Sequence, residues 1–239
     1  MLAIARSEVV QIFRNRLVLV TGLITPVVIG GYFVYQHELF SDLGSLGYVA
    51  AIITFTVLAF GLYTTAVTTL ASRRQNLFLK RLRSTAADDA TILTGLVLPL
   101  IVIALLQAGT ILVVLSAVTD PPAQLPLLTV AVLATTAMMV ALALATAGLT
   151  SSPERAQVTT LPVSLLVIAV ASWVGTTGTE ELTRLKRLLP GGSATELMVG
   201  AWNGGVSLAD SLPLLATTTG WVLVAVALAV RLFSWEPRR

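Results

Sequence analysis

The chain has 239 residues, of which 56% are hydrophobic and only 11% are charged, and it contains no cysteine. Ordinary soluble domains carry about 25% charged residues, so this composition excludes a soluble globular enzyme, a disordered chain and a nucleic-acid-binding module. The formal net charge is only +3, so the positions of the charges are more informative than their sum. We predict an all-α integral membrane protein with one domain over residues 1–239.

Residues 1–16 have the pattern of an amphipathic helix. At helical spacing, Glu8 and Arg14 fall on one side, and Ile4 is the one apolar exception to the pattern. The apolar residues that share the opposite arc are Leu2, Ala5, Val9, Ile12 and Phe13. The pattern predicts a helix that lies in the membrane interface before the first span. The alternative is a basic flank that only sets the topology.

Six runs of the sequence contain no Asp, Glu, Lys or Arg, and all the charged residues lie outside them. A helix needs about 20 mostly apolar residues to cross a membrane. A charge at a helix centre costs about 2.5–3.5 kcal/mol on the insertion scale, so this distribution predicts six transmembrane helices. The runs are Leu17–His37, Leu43–Ser72, Ala90–Thr119, Pro121–Pro153, Ala156–Thr179 and Ser211–Val230. Between the third and fourth runs, Asp120-Pro121-Pro122 predicts a tight turn rather than a continuing helix.

The basic residues predict the orientation. With the N-terminus inside, 12 of the 15 Lys and Arg residues lie on the inner side, and only Arg184, Lys186 and Arg187 lie outside. Cytoplasmic loops of membrane proteins are enriched in Lys and Arg. We therefore expect both termini to be cytoplasmic.

Residues 73–89 form the longest predicted inner segment. As a helix, this segment places Phe78, Leu79 and Leu82 on one side and spreads its basic residues over the rest. The pattern predicts that the apolar side docks into a groove of a partner protein. The alternative is a basic anchor without a partner. In the second inner loop, Ser152-Pro153-Glu154-Arg155 is typical of a helix start.

Residues 180–205 predict two short external helices between the fifth and sixth spans. Glu180–Leu189 suits a helix with a Glu180–Arg184 pair, and Pro190-Gly191-Gly192 ends it. Ser193-x-x-Glu196 is typical of a capping box that starts a second helix ending near Trp202. Ser207-x-x-Asp210 then caps the last span. The alternative is an ordinary external loop.

No catalytic or metal site is expected on this chain. The P-loop motif is absent, and the single histidine, His37, cannot form a site with several histidine ligands. Hydroxyls near the inner ends of spans two and five could line a pathway, or they could hydrogen-bond to their own helix backbone or to a neighbouring helix. With Trp173, which also suits interface or packing roles, the candidate pathway residues are Thr64, Thr65, Thr68, Thr69, Thr159 and Thr160.

The order of these parts resembles the ABC-2 family of ABC transporter permeases. That family has an N-terminal connecting helix, six spans, a coupling helix between spans two and three, and short external helices before the last span. The stretch Arg73–Thr85 is similar to the family's basic, leucine-containing run, and Leu189-Pro190 with Glu196–Gly205 is similar to its external element. Gln75 and Ala86 depart from the family pattern, which commonly has an acidic residue and a proline there.

The resemblance implies an exporter subunit in a bacterial cytoplasmic membrane. It implies pairing with a second, identical or related permease and with two cytoplasmic ATP-binding subunits, which hold the ATP and Mg. The cargo would be hydrophobic or amphiphilic, such as a drug or a lipid, and spans one, two and five would line its route. The implied coupling residues are Arg73, Arg74, Leu77, Phe78, Lys80, Arg81, Leu82, Arg83, Glu154 and Arg155. The alternatives are a six-span binding subunit or carrier of another class, and a membrane scaffold.

Overall fold

The computed structural model describes residues 11, 14, 16–84, 88–233 and 235. Helices are the only regular secondary structure among these residues, as the sequence predicts. The predicted interfacial helix at residues 1–16 lies outside the described residues, apart from residues 11, 14 and 16. The same is true of residues 85–87 in the predicted inner segment.

The described helices follow one another with short connections. The first two are α1 (residues 16–35, with a π-helical stretch at Val20–Ile24) and α2 (His37–Leu43). The third is α3 (Leu46–Gln75), which has a π-helical stretch at Val57–Thr64. The others are α4 (Phe78–Arg83), α5 (Asp89–Val118), α6 (Leu125–Leu149), α7 (Pro153–Thr177), α8 (Thr183–Leu188), α9 (Gly192–Asn203) and α10 (Leu208–Leu232).

Five of these helices are long and apolar enough to cross a membrane, namely α3, α5, α6, α7 and α10. They coincide with predicted spans two to six. The first predicted span coincides with α1, whose apolar part, Gly22–Tyr35, is shorter, so a sixth crossing stays a prediction. The turn predicted at Asp120-Pro121-Pro122 is confirmed, because α5 ends at Val118 and α6 begins at Leu125.

Helix α3 is the centre of the bundle. In its most apolar stretch 89% of the residues are buried, against 22% in α10. Small residues allow this close packing, as they do in membrane helix interfaces generally. At Gly47, a Cβ atom would lie 2.7 Å from the carbonyl oxygen of Val199 in α9. At Gly148, a Cβ atom would lie 2.7 Å from the backbone of Leu232, where α6 packs along α10.

The π-helical stretches of α1 and α3 lie against each other near the middle of the bundle. Such stretches change the helical hydrogen-bond pattern, and inside a membrane neighbouring groups must satisfy the backbone atoms that are released. The Nε2 atom of Gln107 in α5 donates to the carbonyl oxygen of Leu23 at 2.9 Å. Gln107 thereby joins α1 to α5 through a polar contact in an otherwise apolar region.

The antiparallel helices divide the loops between two ends of the bundle. We call one the basic end; its residues are 73–84, 88–89, 150–155, 231–233 and 235. Within this end, the guanidinium of Arg83 in α4 lies 5.2 Å from the ring centre of Trp235, which follows α10. The other we call the opposite end; its residues are 36–47, 119–125 and 176–208. Here the backbone N–H of Gly47 donates to the side chain of Asn203 at 3.0 Å.

Candidate functional site

The basic end is organised around Arg74, a buried residue in the last turn of α3. Only 1% of its surface is exposed. Its Nη2 atom donates to the carbonyl oxygen of Ala147 at 2.9 Å and to that of Thr150. The last carbonyls of a helix have no partner within the helix and lie at the negative end of its dipole. Arg74 therefore caps the carboxyl end of α6 and joins α3 to the loop between α6 and α7.

The chain leaves α3 through a left-handed turn at Leu77. Its φ angle is 57°, a conformation that is unusual for any residue except glycine. Its backbone N–H still donates to the carbonyl oxygen of Arg74 at 3.0 Å, and its carbonyl accepts from Arg81 at 3.0 Å. The side chain of Leu77 is 45% exposed, so the turn presents an apolar side chain at the surface of the basic end.

The apolar side of α4 packs against the protein itself. Leu79 is fully buried, and Phe78 and Leu82 are half-buried against the same core. The sequence predicted that these three side chains would dock into a partner's groove. The protein's own helices thus cover Leu79, whereas Phe78 and Leu82 keep part of their surface exposed, and their contact with a partner stays a prediction. Substitutions at Phe78 or Leu82 would therefore test packing as well as docking.

The charged side chains of α4 follow the Leu77 turn in the chain, and Nη2 of Arg81 donates to the carbonyl oxygen of Asn76 at 3.0 Å. Lys80, Arg81 and Arg83 are exposed. Arg83 pairs with Asp89 at the start of α5, with 3.2 Å between Nε and Oδ1. The preceding residue, Asp88, accepts a hydrogen bond from the Thr91 side chain, which lowers the pKa of its carboxyl group. Arg73, beside the turn, lies 5.6 Å from the ring centre of Phe78.

The second loop of the basic end starts α7 as predicted. The Ser152 side chain accepts from the backbone N–H of Arg155 at 3.3 Å, and Pro153 is the first residue of the helix. Glu154 and Arg155 follow in the first turn, and both are exposed. Because Arg74 binds the carbonyl just before this loop, the exposed residues of both loops lie at the same end of the bundle.

The opposite end also contains a buried cation. Lys186 in α8 is 2% exposed, and its Nζ atom donates to the Thr177 hydroxyl at 2.8 Å and to the Gly178 carbonyl at 2.7 Å. These acceptors lie at the carboxyl end of α7. The ammonium group also lies 5.1 Å from the ring centre of Trp173. Lys186 therefore caps α7 and makes a cation–π contact in the same position.

The two short helices predicted at the opposite end are present as α8 and α9, but their starts differ from the prediction. Helix α9 begins after Gly191, whose φ is 92°, so the predicted Ser193–Glu196 capping box is wrong. Instead, the Ser193 hydroxyl donates to the Arg187 carbonyl at 2.9 Å. Glu196 binds Arg187 through two contacts of 2.7 and 2.6 Å, which raises the pKa of Arg187.

The remaining predictions for this end have mixed outcomes. Glu180 lies before α8 begins, and the structure, which describes both partners, contains no ion pair between it and Arg184. The cap of the last span is confirmed, because the Ser207 side chain accepts from the backbone N–H of Asp210 at 3.1 Å.

Comparison with known proteins identifies the family. The model of the ABC-2 family transporter protein matches residues 23–231, which is most of the chain. The chain belongs to the ABC-2 family. It is therefore a multi-pass membrane component of an ABC transporter, a class that associates with ATP-binding subunits. No curated protein matches the chain in the comparison.

The candidate pathway residues of this ABC-2 chain use their hydroxyls locally. Thr64 and Thr65 donate to carbonyls five residues earlier in α3, and Thr68 donates to the Thr64 carbonyl. In α7, Thr159 and Thr160 donate to carbonyls of their own first turns. These hydrogen bonds lie within single helices, and a role of the residues in lining a pathway stays a prediction. Thr69 is buried, and Trp173 is half-buried beside Lys186.

Sequence reasoning missed Gln107, a buried amide in the third predicted span. It is the only Asn or Gln in the third uncharged run, and that was the available signal. While its Nε2 atom binds the Leu23 carbonyl, its Oε1 atom is buried without a hydrogen-bond partner. A Cβ atom at Gly61 would lie 3.2 Å from that oxygen, so glycine allows α3 to approach the amide closely.

Proposed function

We propose that this chain is the permease subunit of an ATP-driven exporter for a neutral hydrophobic or amphiphilic molecule. In this proposal it pairs with a second, identical or related permease and with two cytoplasmic ATP-binding subunits, which hold the ATP and Mg. The observation that carries the proposal is the family match over residues 23–231. The absence of charged residues from the six predicted spans favours uncharged cargo.

The charge distribution supports a cytoplasmic position for the basic end in a bacterial membrane. Of the three basic residues at the opposite end, Lys186 binds the end of α7 and Arg187 is paired with Glu196. Only Arg184 is exposed there. The basic end has exposed cations on α4 and at the start of α7. Exposed basic residues are therefore still more unequally distributed than the sequence count suggests, and cytoplasmic loops carry such an excess.

The surface proposed to bind the ATP-binding subunit is formed by the exposed side chains of the basic end. Leu77 supplies an apolar contact, and the exposed charged residues of the same end supply polar ones, which is the usual composition of a protein interface. The residues assigned to this surface are Leu77, Lys80, Arg81, Arg83, Glu154 and Arg155.

The route of the movement follows from what lies beneath this surface. Leu79 anchors α4 in the core, so displacement of α4 is transmitted to the helices packed around it. Arg74 binds the end of α6 directly and thereby joins α3 to α6. Arg74 is thus proposed as a positioning residue between the docking surface and the spans. Like Leu79, Phe78 and Leu82 are proposed to hold α4 against the core.

Coexpression with an ATP-binding subunit tests the proposal. We expect the subunit to copurify with this chain and to drive ATP-dependent movement of a neutral lipophilic dye in membrane vesicles. Arg81→Glu combined with Arg155→Glu should reduce copurification by about tenfold, equivalent to about 1.4 kcal/mol. Arg184→Glu, an exposed charge reversal at the opposite end, is the matched control and should leave copurification unchanged. Equal copurification of all three proteins would refute the assigned surface, and failure of the wild-type chain to bind any ATP-binding subunit would refute the function.

A further inference from the structure

The last turn of α6, residues 146–150, is bound by two side chains of α3. Arg74 reaches it from the last turn of α3 and binds two of its carbonyls. Tyr63 lies about three helical turns earlier in α3, and its hydroxyl is 2.9 Å from the Thr146 hydroxyl. Tyr63 belongs to the π-helical stretch of α3 and is fully buried. Side chains from two distant points of α3 therefore converge on one turn of α6.

A pair of threonine hydroxyls joins the same turn to α7. The Oγ1 atoms of Thr150 and Thr159 are 2.8 Å apart. Each hydroxyl has one proton and can donate to one partner. In one arrangement Thr159 donates to Thr150, whose own proton goes to the Thr146 carbonyl at 2.9 Å. In the other, Thr150 donates to Thr159, whose own proton goes to the Arg155 carbonyl at 3.1 Å. Both arrangements keep α6 and α7 joined.

These contacts bring the two loops of the basic end to one turn. Arg74 lies in the last turn of α3, which leads to α4, and Thr159 follows the loop between α6 and α7. Tyr63 and Thr150 have no exposed surface, so water does not replace a hydrogen bond that is broken between them and their partners. A displacement of either loop that separated these groups would leave polar atoms buried without a partner, which is costly. The last turn of α6 is therefore favoured to move together with both loops.

We propose that Tyr63 and Thr150 are positioning residues through which the last turn of α6 passes the movement of both loops to the π-helical stretch of α3. That stretch packs against the π-helical stretch of α1, and its Gly61 closely approaches the amide of Gln107. The route thus ends at the centre of the bundle. The inference rests on the proposed function, because the ATP-binding subunit supplies the movement. It assigns a role to two residues that lie beneath the proposed docking surface.

The role of these hydroxyls is separable from folding. Hydrogen bonds between membrane helices contribute little to stability on average, because the unfolded chain in the membrane also finds partners. Tyr63→Phe and Thr150→Val each remove one hydroxyl and keep most of the side-chain volume. We therefore expect both variants to fold, which thermal unfolding in detergent micelles checks.

The same two helices provide matched control substitutions. Thr135 in α6 is fully buried like Thr150, but its hydroxyl donates within α6, to the Ala131 carbonyl at 2.7 Å. Tyr48 in α3 is buried like Tyr63, but it lies near the other end of the helix, against Gly175. Thr135→Val and Tyr48→Phe thus remove the same chemical groups at positions away from the last turn of α6.

The measurement is the number of molecules of a neutral lipophilic dye moved per ATP hydrolysed, in vesicles that contain the full chain and its ATP-binding subunit. Tyr63→Phe and Thr150→Val should each lower this ratio by about threefold, the factor expected for one average hydrogen bond between membrane helices. Copurification of the subunit should be unchanged. Thr150→Ser, which keeps the hydroxyl, and both control variants should retain the wild-type ratio.

The double variant tests whether the two residues share one route. Tyr63→Phe combined with Thr150→Val should lower the ratio no further than the stronger single variant, whereas losses that multiply would overturn the shared route. A wild-type ratio in both single variants, or an equal loss in both control variants, would overturn the proposal. In each of these cases the wild-type chain still binds the subunit and moves the dye. If the wild-type chain does neither, the proposed function fails, and this inference fails with it.

Discussion

The two ends of this bundle each contain a buried cation that caps a helix, but they use their charges differently. Arg74 binds the end of α6 at the basic end, and Lys186 binds the end of α7 at the opposite end. Beside Lys186, Arg187 is also paired within the protein, with Glu196. Around Arg74, exposed cations of α4 and α7 remain at the surface. Two of the three basic residues at the opposite end are thus bound within the protein, whereas the basic end has more exposed cations that a partner could contact.

The largest effect is expected from Arg74→Met. The substitution removes both hydrogen bonds to the carbonyls of Ala147 and Thr150 and leaves these acceptors buried, because neither residue has exposed surface. We expect the free energy of unfolding to fall by about 3 kcal/mol. The measurement is denaturant unfolding in detergent micelles.

The conservative variant separates charge from geometry at this site. Arg74→Lys keeps the positive charge at the end of α6 but not the planar guanidinium, so it should restore part of the stability. Arg81→Met, an exposed cation of the same end, should change the stability little. If Arg74→Met were as stable as Arg81→Met, the hydrogen bonds of Arg74 to the end of α6 would contribute nothing to stability. The proposed similarity of Arg74 and Lys186 as stabilising helix caps would then be wrong.

A smaller effect is expected from Lys186→Met at the opposite end. Its acceptors are on Thr177 and Gly178, which are exposed, so water can replace the ammonium group. Removing the helix-end charge and the cation–π contact should lower the free energy of unfolding by about 1.5 kcal/mol.

Copurification of the ATP-binding subunit with Lys186→Met tests whether only the basic end binds that subunit. If the opposite end has no part in binding the ATP-binding subunit, copurification of that subunit should be unchanged in the folded variant. Reduced copurification, at a temperature where the variant is fully folded, would contradict the division of roles between the two ends.

Local signals explain which parts of this fold were predictable. The turn at Asp120-Pro121-Pro122 and the caps at Ser152 and Ser207 depend on residues a few positions apart, and all three are present. The Ser193–Glu196 box failed because Glu196 instead binds Arg187, nine residues earlier. Competition with a side chain from a preceding helix is a tertiary effect that a four-residue motif does not contain.

The candidate site was predictable only in part for the same reason. Periodicity correctly grouped Phe78, Leu79 and Leu82, but it does not indicate whether a partner or the protein's own core covers them. The family resemblance implied that Arg74 is a coupling residue. That it reaches the end of α6 depends on how α3 and α6 pack, which no local pattern specifies.

The smallest change in the free energy of unfolding is expected at two leucines in left-handed turns, one at each end of the bundle. Leu77 precedes α4 at the basic end, and Leu182 precedes α8 at the opposite end, with φ values of 57° and 53°. Both side chains are largely exposed. Glycine adopts this conformation without strain, although it also loses more entropy on folding. Leu77→Gly and Leu182→Gly should therefore each raise the free energy of unfolding by no more than about 1 kcal/mol.

Binding of the ATP-binding subunit should nevertheless distinguish these two substitutions. Leu77→Gly keeps the backbone turn but removes the exposed apolar side chain from the proposed surface, so copurification should fall several-fold despite equal or higher stability. Leu182→Gly should leave copurification unchanged. A decrease in both variants would point to an indirect effect of leucine removal, and a decrease in neither would mean that the turn at Leu77 serves the backbone path of α4 alone. Because stability and binding are expected to change in opposite directions at Leu77 only, this pair separates a contact residue from a structural one.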